Sequence, residues 1–382
     1  MTIKTHPPYP IKSLLGGLSP GQFMAEYWQK KPLLVRQALP GFQGLLDKAG
    51  LLDLAGREDA ESRLVLSQRK RWQLAHGPFE REELQRLPAR GWSLLVQGVN
   101  HFLPEADRLL RSFNFVPYTR LDDLMVSFAP PGGGVGPHFD SYDVFLIQGL
   151  GRRRWEISAQ DDLTLVEGAP LRILKHFQPE QSWELEPGDM LYLPPKYAHN
   201  GIALSDCMTY SVGFRAPSSQ EIAGQFLGYL QDQLQLEGIY ADPDLQPTRH
   251  PGRIGADLVA RLTDMIQAIR WNQADIRDFA GRYLSEPKPY IFFEPPARPL
   301  SPTAFAKRIE TRGARLDPKT LLLYQGRRCF INGEPYAAAS SATQAALRDL
   351  ADRRELGPGR CDTELIDCLY DWYRAGFVHP GA

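Results

Sequence analysis

The sequence predicts a mainly β protein with added α structure: a small barrel, then a helical region, then a winged-helix-like module. Three observations predict this. Short alternating segments broken by Gly and Pro fill the chain up to Ala216, the apolar period lengthens from 2 to about 3.6 beyond Pro217, and six prolines crowd residues 287–302. The implied divisions are a barrel domain over 1–216, helices over 217–286, a stiff linker over 287–302 and a small module over 303–382.

The first elements follow from local chemistry. Met1 to His6 runs into Pro7-Pro8-Tyr9-Pro10 without the apolar core of a secretory signal, and no apolar run is long enough to span a bilayer. Ser19-Pro20 opens a helix through Phe23 and Trp28, with Ser as cap and Pro in the first turn. Lys31–Arg36 reads as a strand, and residues 42–110 read as helical decoration of the barrel. Alternation along Arg120–Phe128 puts Leu124, Val126 and Phe128 on one face and Asp123, Met125 and Ser127 on the other.

The chemistry begins at Gly136-Pro137-His138-Phe139-Asp140. Residues two apart on a strand point the same way, so His138 and Asp140 are expected to converge on one ion. A third ligand is found at His199 in Leu193–Asn200, after a strand pair turning at Pro187-Gly188-Asp189. Two histidines and one carboxylate leave three octahedral positions open, which suits Fe(II) that binds a cosubstrate and O2 together. An H-x-D triplet also arises by chance, and the plainer reading makes both histidines structural; the glycine-rich approach and the strand Asp143–Gln148 behind it favour the metal. The Gly132–Pro137 loop lacks the lysine and following helix of a phosphate cradle.

Arg152-Arg153-Arg154-Trp155-Glu156-Ile157 carries the next signal. Alternation sets Arg153 on the same face as Trp155 and Ile157, whereas Arg152 and Arg154 read as a solvated charge run. A guanidinium in an apolar interior needs an anion, and its planar fork suits a carboxylate. A dicarboxylate cosubstrate meets that need.

Beyond the barrel, Ser218-x-x-Glu221 is a capping-box pattern before Ile222, Phe226, Tyr229 and Leu230 at helical spacing. Further runs carry Leu258, Leu262, Met265, Ile266 and Ile269, then Ile276, Phe279 and Tyr283. These stripes are buried either within the chain or between two copies of it. The last module combines a helix over 302–311, a hairpin turning at Asn332-Gly333 and helices near 341–353 and 363–375. Its Arg327, Arg328, Arg348, Arg353 and Arg354 are balanced by Asp349, Asp352 and Glu355, which reads as solvated surface rather than a nucleic-acid face.

Composition agrees. The chain has 382 residues, 43% of them apolar, enough for two or three cores. A formal net charge of −1 excludes a polycationic nucleic-acid binder. Cys207, Cys329, Cys361 and Cys368 form no C-x-x-C pair and are expected to be reduced, which favours the cytoplasm.

These residues resemble the JmjC-type cupin oxygenases, and within them the bacterial ribosomal oxygenases. The resemblance is carried by Phe128–His138, Tyr142-Asp143-Val144-Phe145, Gln148-Gly149, Gly151–Trp155 and Tyr210–Pro217, together with Ala75–Phe79 and Trp92–Gln97. It implies a double-stranded β-helix (cupin) barrel, a helical dimerisation region giving a homodimer, and a winged-helix-like C-terminal domain. It implies a 2-oxoglutarate-dependent dioxygenase that hydroxylates C3 of an arginine in the large-subunit ribosomal protein numbered sixteen. By the same resemblance His138, Asp140 and His199 hold Fe(II), Arg153 binds the distal carboxylate of 2-oxoglutarate, and the cosubstrate's other end chelates the iron.

An arginine substrate makes demands of its own. Asp123 is expected to pair with its guanidinium, Met125 to pack on its methylenes, Tyr142 to stack on its plane, and Ser127 to hydrogen-bond the cosubstrate beside Arg153. Against this stands a face that merely meets solvent, with Met125 and Tyr142 as core packing. Two other functions fit the same motifs: a metal-dependent cupin acting on a small molecule or another protein, and a noncatalytic ribosome or nucleic-acid binder. An intact open triad argues against the second.

Overall fold

The computed structural model of the chain describes residues 9–68 and 71–381, so the expectation for Met1–Pro8 lies outside the described residues. Eleven strands build the first domain: β1 (Leu33–Val35), β2 (Ser62–Gln68), β3 (Arg71–His76), β4 (Trp92–Val96), β5 (Leu121–Ala129), β6 (Val144–Leu150), β7 (Arg153–Ser158), β8 (Gln181–Leu185), β9 (Met190–Leu193), β10 (Ala198–Ala203) and β11 (Cys207–Phe214). Eight form one sheet in the order β1-β9-β6-β11-β5-β4-β2-β3, and β10-β7-β8 form a second. From β6 onward the chain steps between the two sheets, and every pairing is antiparallel, which is the winding of a double-stranded β-helix.

The large sheet is buried on both faces. On its inner side Val144, Leu146, Leu191 and Leu193 meet Trp155, Ile157 and Leu185 of the small sheet. On its outer side Phe145, Ile147, Tyr192, Tyr210 and Phe214 pack against Leu14, Phe23, Leu51, Leu109 and Phe113 from the N-terminal helices. Strands of this kind lose strict alternation, so β6 is apolar on successive positions.

One expectation for the N-terminal half is corrected. Residues 42–110 contribute not only helices, such as Lys48–Ala55 and Pro104–Arg111, but also β2, β3 and β4, which widen the large sheet. Leu, Gln and Arg in these segments favour helix intrinsically; pairing with the free edge of β5 overrides that weak preference. The predicted N-terminal helix is Pro20–Glu26, with Ser19 and Gln22 forming a reciprocal capping box. It is bolted to the barrel through Asp143, which is fully buried and accepts hydrogen bonds from Tyr192 Oη at 2.6 Å and Gln29 Nε2 at 2.9 Å. Arg120 lies 3.5 Å from the same carboxylate.

Helices Ser219–Gln233, Ala256–Gln267 and Gln273–Ser285 follow the barrel. Ser218 caps the first of them, but the Glu221 side chain accepts from Tyr283 Oη at 2.7 Å instead of turning back to the cap, so only half of the expected box forms. Helix Gln273–Ser285 packs on the wing hairpin, where Gly281 lies flat against the Phe330 ring in a space no Cβ fits.

The last domain has its own core of Phe305, Ile309, Leu347, Leu350, Leu369 and Val378. Helices Pro302–Arg312, Ser341–Arg353 and Thr363–Arg374 carry two small sheets: β12 (Ala314–Leu316) with β16 (Glu355–Leu356) and β17 (Val378–Pro380), and β13 (Leu322–Gln325), β14 (Arg328–Ile331) and β15 (Glu334–Ala337). Asn332 and Gly333 turn the hairpin with φ of 49° and 89°, the left-handed pair that an Asn-Gly turn supplies. Arg354 departs from the solvated reading: it is buried, and its guanidinium donates to the carbonyls of Thr320 and Asp317 at 2.8 and 2.7 Å. Burial pushes its pKa down to about 10. Arg353 does pair with Asp349 at 3.3 Å, and Arg328 pairs with Asp278 at 3.1 Å.

Replacing Asp143 with Ala leaves the Tyr192 hydroxyl proton without its acceptor inside the protein. The expected loss of stability is about 3 kcal/mol, measured by urea unfolding; a change below about 1 kcal/mol contradicts this account.

Candidate active site

Between the sheets lies a cavity of about 400 Å3 lined by His138, Asp140, His199, Arg153, Asp123, Met125, Ser127 and Tyr142, among others. His199 sits on β10. His138 is not on a regular strand, contrary to the strand reading of its motif; it makes a single antiparallel bridge with His199. His138 N donates to His199 O at 2.9 Å, and His199 N donates to His138 O at 2.8 Å. Gly136, at φ +98° and close against Trp72, turns the loop into this bridge. Lys196 N donates to Asp140 O at 2.8 Å and fixes the carboxylate's end of the loop.

The ring nitrogens are sorted by their partners. Nδ1 of His138 lies 2.8 Å from Gly136 O, and Nδ1 of His199 lies 2.9 Å from Tyr197 O. Carbonyls only accept, so each Nδ1 carries the proton and each Nε2 lone pair faces the cavity. The two Nε2 atoms stand 3.9 and 3.5 Å from Asp140 Oδ2. Donors about 2.1 Å from a shared ion are roughly 3–4 Å apart, so the three side chains fit one metal. Burial, and then the neighbouring His138, push the His199 pKa down to about 4, against the pull of Asp140 and the Tyr197 carbonyl. Its imidazole is therefore neutral at physiological pH, as a metal ligand has to be.

Arg153 occupies the floor, 4% exposed, with its guanidinium 5.7 Å from the Trp155 ring. Its Nε and Nη2 have no hydrogen-bond partner among the described residues. Leaving such donors unmet inside a protein costs several kcal/mol per ion, a cost that an anion in the cavity would relieve. Ser127, buried on β5, and Thr209, opposite it on β11, share the cavity wall with Arg153.

Asp123 is 4% exposed, which rules out the solvent-facing alternative for it, as burial does for Ser127. Its Oδ2 accepts from Gly98 N at 2.9 Å and Gln97 Nε2 at 3.2 Å. Burial raises its pKa to about 6, with Lys288 opposing and Asp122 reinforcing the rise. Met125 is half-buried on the same wall, and Tyr142, 42% exposed, stands at the mouth rather than in the core.

Sequence reasoning missed several lining residues. Arg63, Ser93 and Gln97 come from the stretch read as helical decoration; the alternation of Ser93 and Leu95 along β4, continued by Gln97 just past its end, was the available signal. Ser93 Oγ is buried without a hydrogen-bond partner among the described residues. Leu171 and Arg172 come from the β7–β8 loop, which is held over the site by Leu174 N donating to Pro137 O at 2.8 Å and by Arg172 stacked 4.7 Å from Phe139. Only folding brings that loop here.

The chain has clear relatives. The JmjC domain family matches residues 108–222, and the ROXA-like winged helix family matches residues 268–379. The ribosomal protein uL16 3-hydroxylase of Escherichia coli is 38% identical over 283 residues, covering 73% of this chain and 75% of that protein. The chain belongs to the JmjC-type ribosomal oxygenases. A probable ribosomal oxygenase of Haemophilus influenzae is 38% identical over 233 residues, 60% of this chain and 55% of the relative. Among solved structures, E. coli ycfD matches with a TM-score of 0.80 at 33% identity, covering 95% of this chain and 98% of that one. The same enzyme in complex with cobalt and 2-oxoglutarate matches with a TM-score of 0.79 at 32% identity over the same shares. The expected cupin barrel and winged-helix domain are thus both present in this oxygenase.

His199→Ala in the oxygenase is expected to weaken Co(II) binding at least about 100-fold with an unchanged far-UV circular dichroism spectrum. Calorimetric titration checks this, and undiminished affinity removes His199 from the ligand set.

Proposed function

We propose that this oxygenase is a 2-oxoglutarate- and Fe(II)-dependent dioxygenase that hydroxylates C3 of an arginine in ribosomal protein uL16. The observation that carries it is one cavity holding an open His-Asp-His triad, an unpaired buried Arg153 and the carboxylate of Asp123. The 38% identity to the E. coli uL16 3-hydroxylase supports the choice of substrate.

His138, Asp140 and His199 hold the iron, and Arg153 with Ser127 receives the far carboxylate of 2-oxoglutarate. Bound there, the metal with its cosubstrate and O2 supplies the oxidising chemistry: one oxygen atom goes into the substrate C–H bond, the other into succinate, and CO2 leaves. The protein's own contribution is placement. Asp123 draws in the substrate guanidinium by a charge-assisted contact, Met125 covers its methylenes, and Tyr142 stacks on its plane at the mouth. Together these contacts aim the aliphatic carbons of the arginine at the triad.

The helical region supports a homodimer. Leu227, Leu262, Met265, Ile266, Trp271 and Ile276 are exposed there, a larger apolar surface than a lone soluble chain favours. A protein substrate on the ribosome and four unpaired cysteines support a cytoplasmic location, and among the described residues no helix is long and apolar enough to cross a membrane. The winged module is read as structural, since Arg328, Arg353 and Arg354 are paired or turned inward.

Incubation of a uL16 fragment with enzyme, Fe(II), 2-oxoglutarate and air is expected to add one oxygen to an arginine, seen by mass spectrometry and absent with His138→Ala. An unmodified fragment, with metal and cosubstrate still bound, rejects this substrate. Arg153→Met is expected to weaken 2-oxoglutarate binding about 100-fold and leave Co(II) affinity unchanged; equal losses of both contradict its role. Light scattering is expected to give twice the 43.1 kDa of one chain, and a single-chain mass rejects the dimer.

A further inference from the structure

Asp122 and Asp123 form a wall with two sides. One side lines the main cavity, and the other lines a smaller hollow of about 40 Å3 that holds Lys288. Lys288 belongs to the linker behind the helical region, between Pro287 and Pro289. Its Nζ lies 3.0 Å from Asp122 Oδ1 and 3.8 Å from Asp123 Oδ2. Lys288 opens a turn that Ile291 N closes by donating to Lys288 O at 2.9 Å, with Pro289 fixing its corner, so the ammonium is delivered by a defined segment. Lys288 stands behind the carboxylates and not among the cavity-lining residues, so it leaves their near side open to a substrate.

Two adjacent carboxylates, one of them buried, repel each other and lose solvation. Arg215 relieves only Asp122, at 3.4 Å. The cation nearest Asp123 at its back is Lys288. We propose that Lys288 is a positioning residue for substrate recognition: it acts through Asp123, keeping that carboxylate aimed at and able to accept the cationic side chain of the substrate. This rests on the reading of the cavity as an arginine site.

The groups facing Asp123 give the direction of the effect. Lys288 and Tyr290 approach from the linker, Asp122 from its own strand, Glu61 and Arg63 from the start of β2, and Tyr142 from across the cavity. His101, close to Lys288, is kept neutral by burial first and then by that lysine, with a pKa of about 4. Burial alone would favour a neutral amine at Lys288, but Asp123 and Asp122 hold it above the usual lysine range. Without the ammonium, burial and the like charges of Asp122 and Glu61 act on Asp123 against little more than the Gly98 N–H. Its pKa then rises further from about 6, which favours the protonated, uncharged carboxyl.

The test uses the full-length Fe(II)-loaded enzyme with a uL16 fragment carrying arginine, and for binding a matched fragment carrying citrulline, whose side chain has similar shape and no charge. For Lys288→Met the expected result is a KM for the arginine fragment raised about tenfold or more, with kcat within about twofold. The preference for arginine over citrulline in binding shrinks, and the acid limb of kcat/KM moves to higher pH. Lys288→Arg restores all three. Should Lys288→Met fail to fold, Lys288→Arg decides: KM and the acid limb near wild type support the proposal, and a displaced limb overturns it. A wild-type KM and pH limb in Lys288→Met, with KM raised in Asp123→Asn, overturns the role of Lys288 and leaves the arginine site standing. A wild-type KM in Asp123→Asn removes the arginine site itself. Parallel losses of kcat and melting temperature that Lys288→Arg does not rescue show a purely structural lysine and also overturn the proposal.

Discussion

Two backbone hydrogen bonds between His138 and His199 are the constraint on which the rest of the site depends. They join a glycine-turned loop to the middle of the small sheet, so that ligands 61 residues apart become neighbours (199 less 138). With both Nδ1 protons committed to carbonyls, neither ring can rotate without losing a hydrogen bond. Asp140, two residues along the loop, is carried into range by the same fixed backbone. The geometry of the His-Asp-His cluster is therefore a property of main-chain pairing more than of the side chains themselves.

Around this centre the protein treats buried charge in two ways. Asp143 is satisfied at every turn, by a tyrosine, a glutamine and an arginine, and serves the fold. Arg153 is left with open donors in the cavity floor, where an anion would satisfy them. The first contributes stability; the second costs it, and the double-layered apolar packing on either face of the large sheet offsets that cost. Asp123 falls between these limits, half satisfied by Gly98 and Gln97 and half turned to the cavity.

The C-terminal modules are not a separate attachment. Helix Gln273–Ser285 packs on the wing hairpin, Phe293 of the linker packs 4.6 Å from Phe377, and Tyr118 of the catalytic domain donates to the carbonyl of Asp352 at 3.3 Å. The proline-rich linker turns at Lys288–Ile291 and reaches the carboxylates of β5 with Lys288. Distant parts of the chain thus meet at the Asp123 end of the cavity.

By itself the sequence determined the triad, the inward face of Arg153, the polar face of β5, the helical runs and the Asn332-Gly333 hairpin. Each is written in short-range spacing, in periods of 2 or about 3.6 and in turn chemistry that needs no distant partner. Tertiary structure alone decided the rest. Strands β2 to β4 exist because the edge of β5 pairs with them, against their local preference. Arg354 is interior because a left-handed residue ends its helix and turns it toward two carbonyls. Arg172, Ser93 and Lys288 reach the active-site region from segments whose spacing carries no trace of it, because contacts between remote segments arise from how sheets close and linkers dock, and local periodicity cannot encode them.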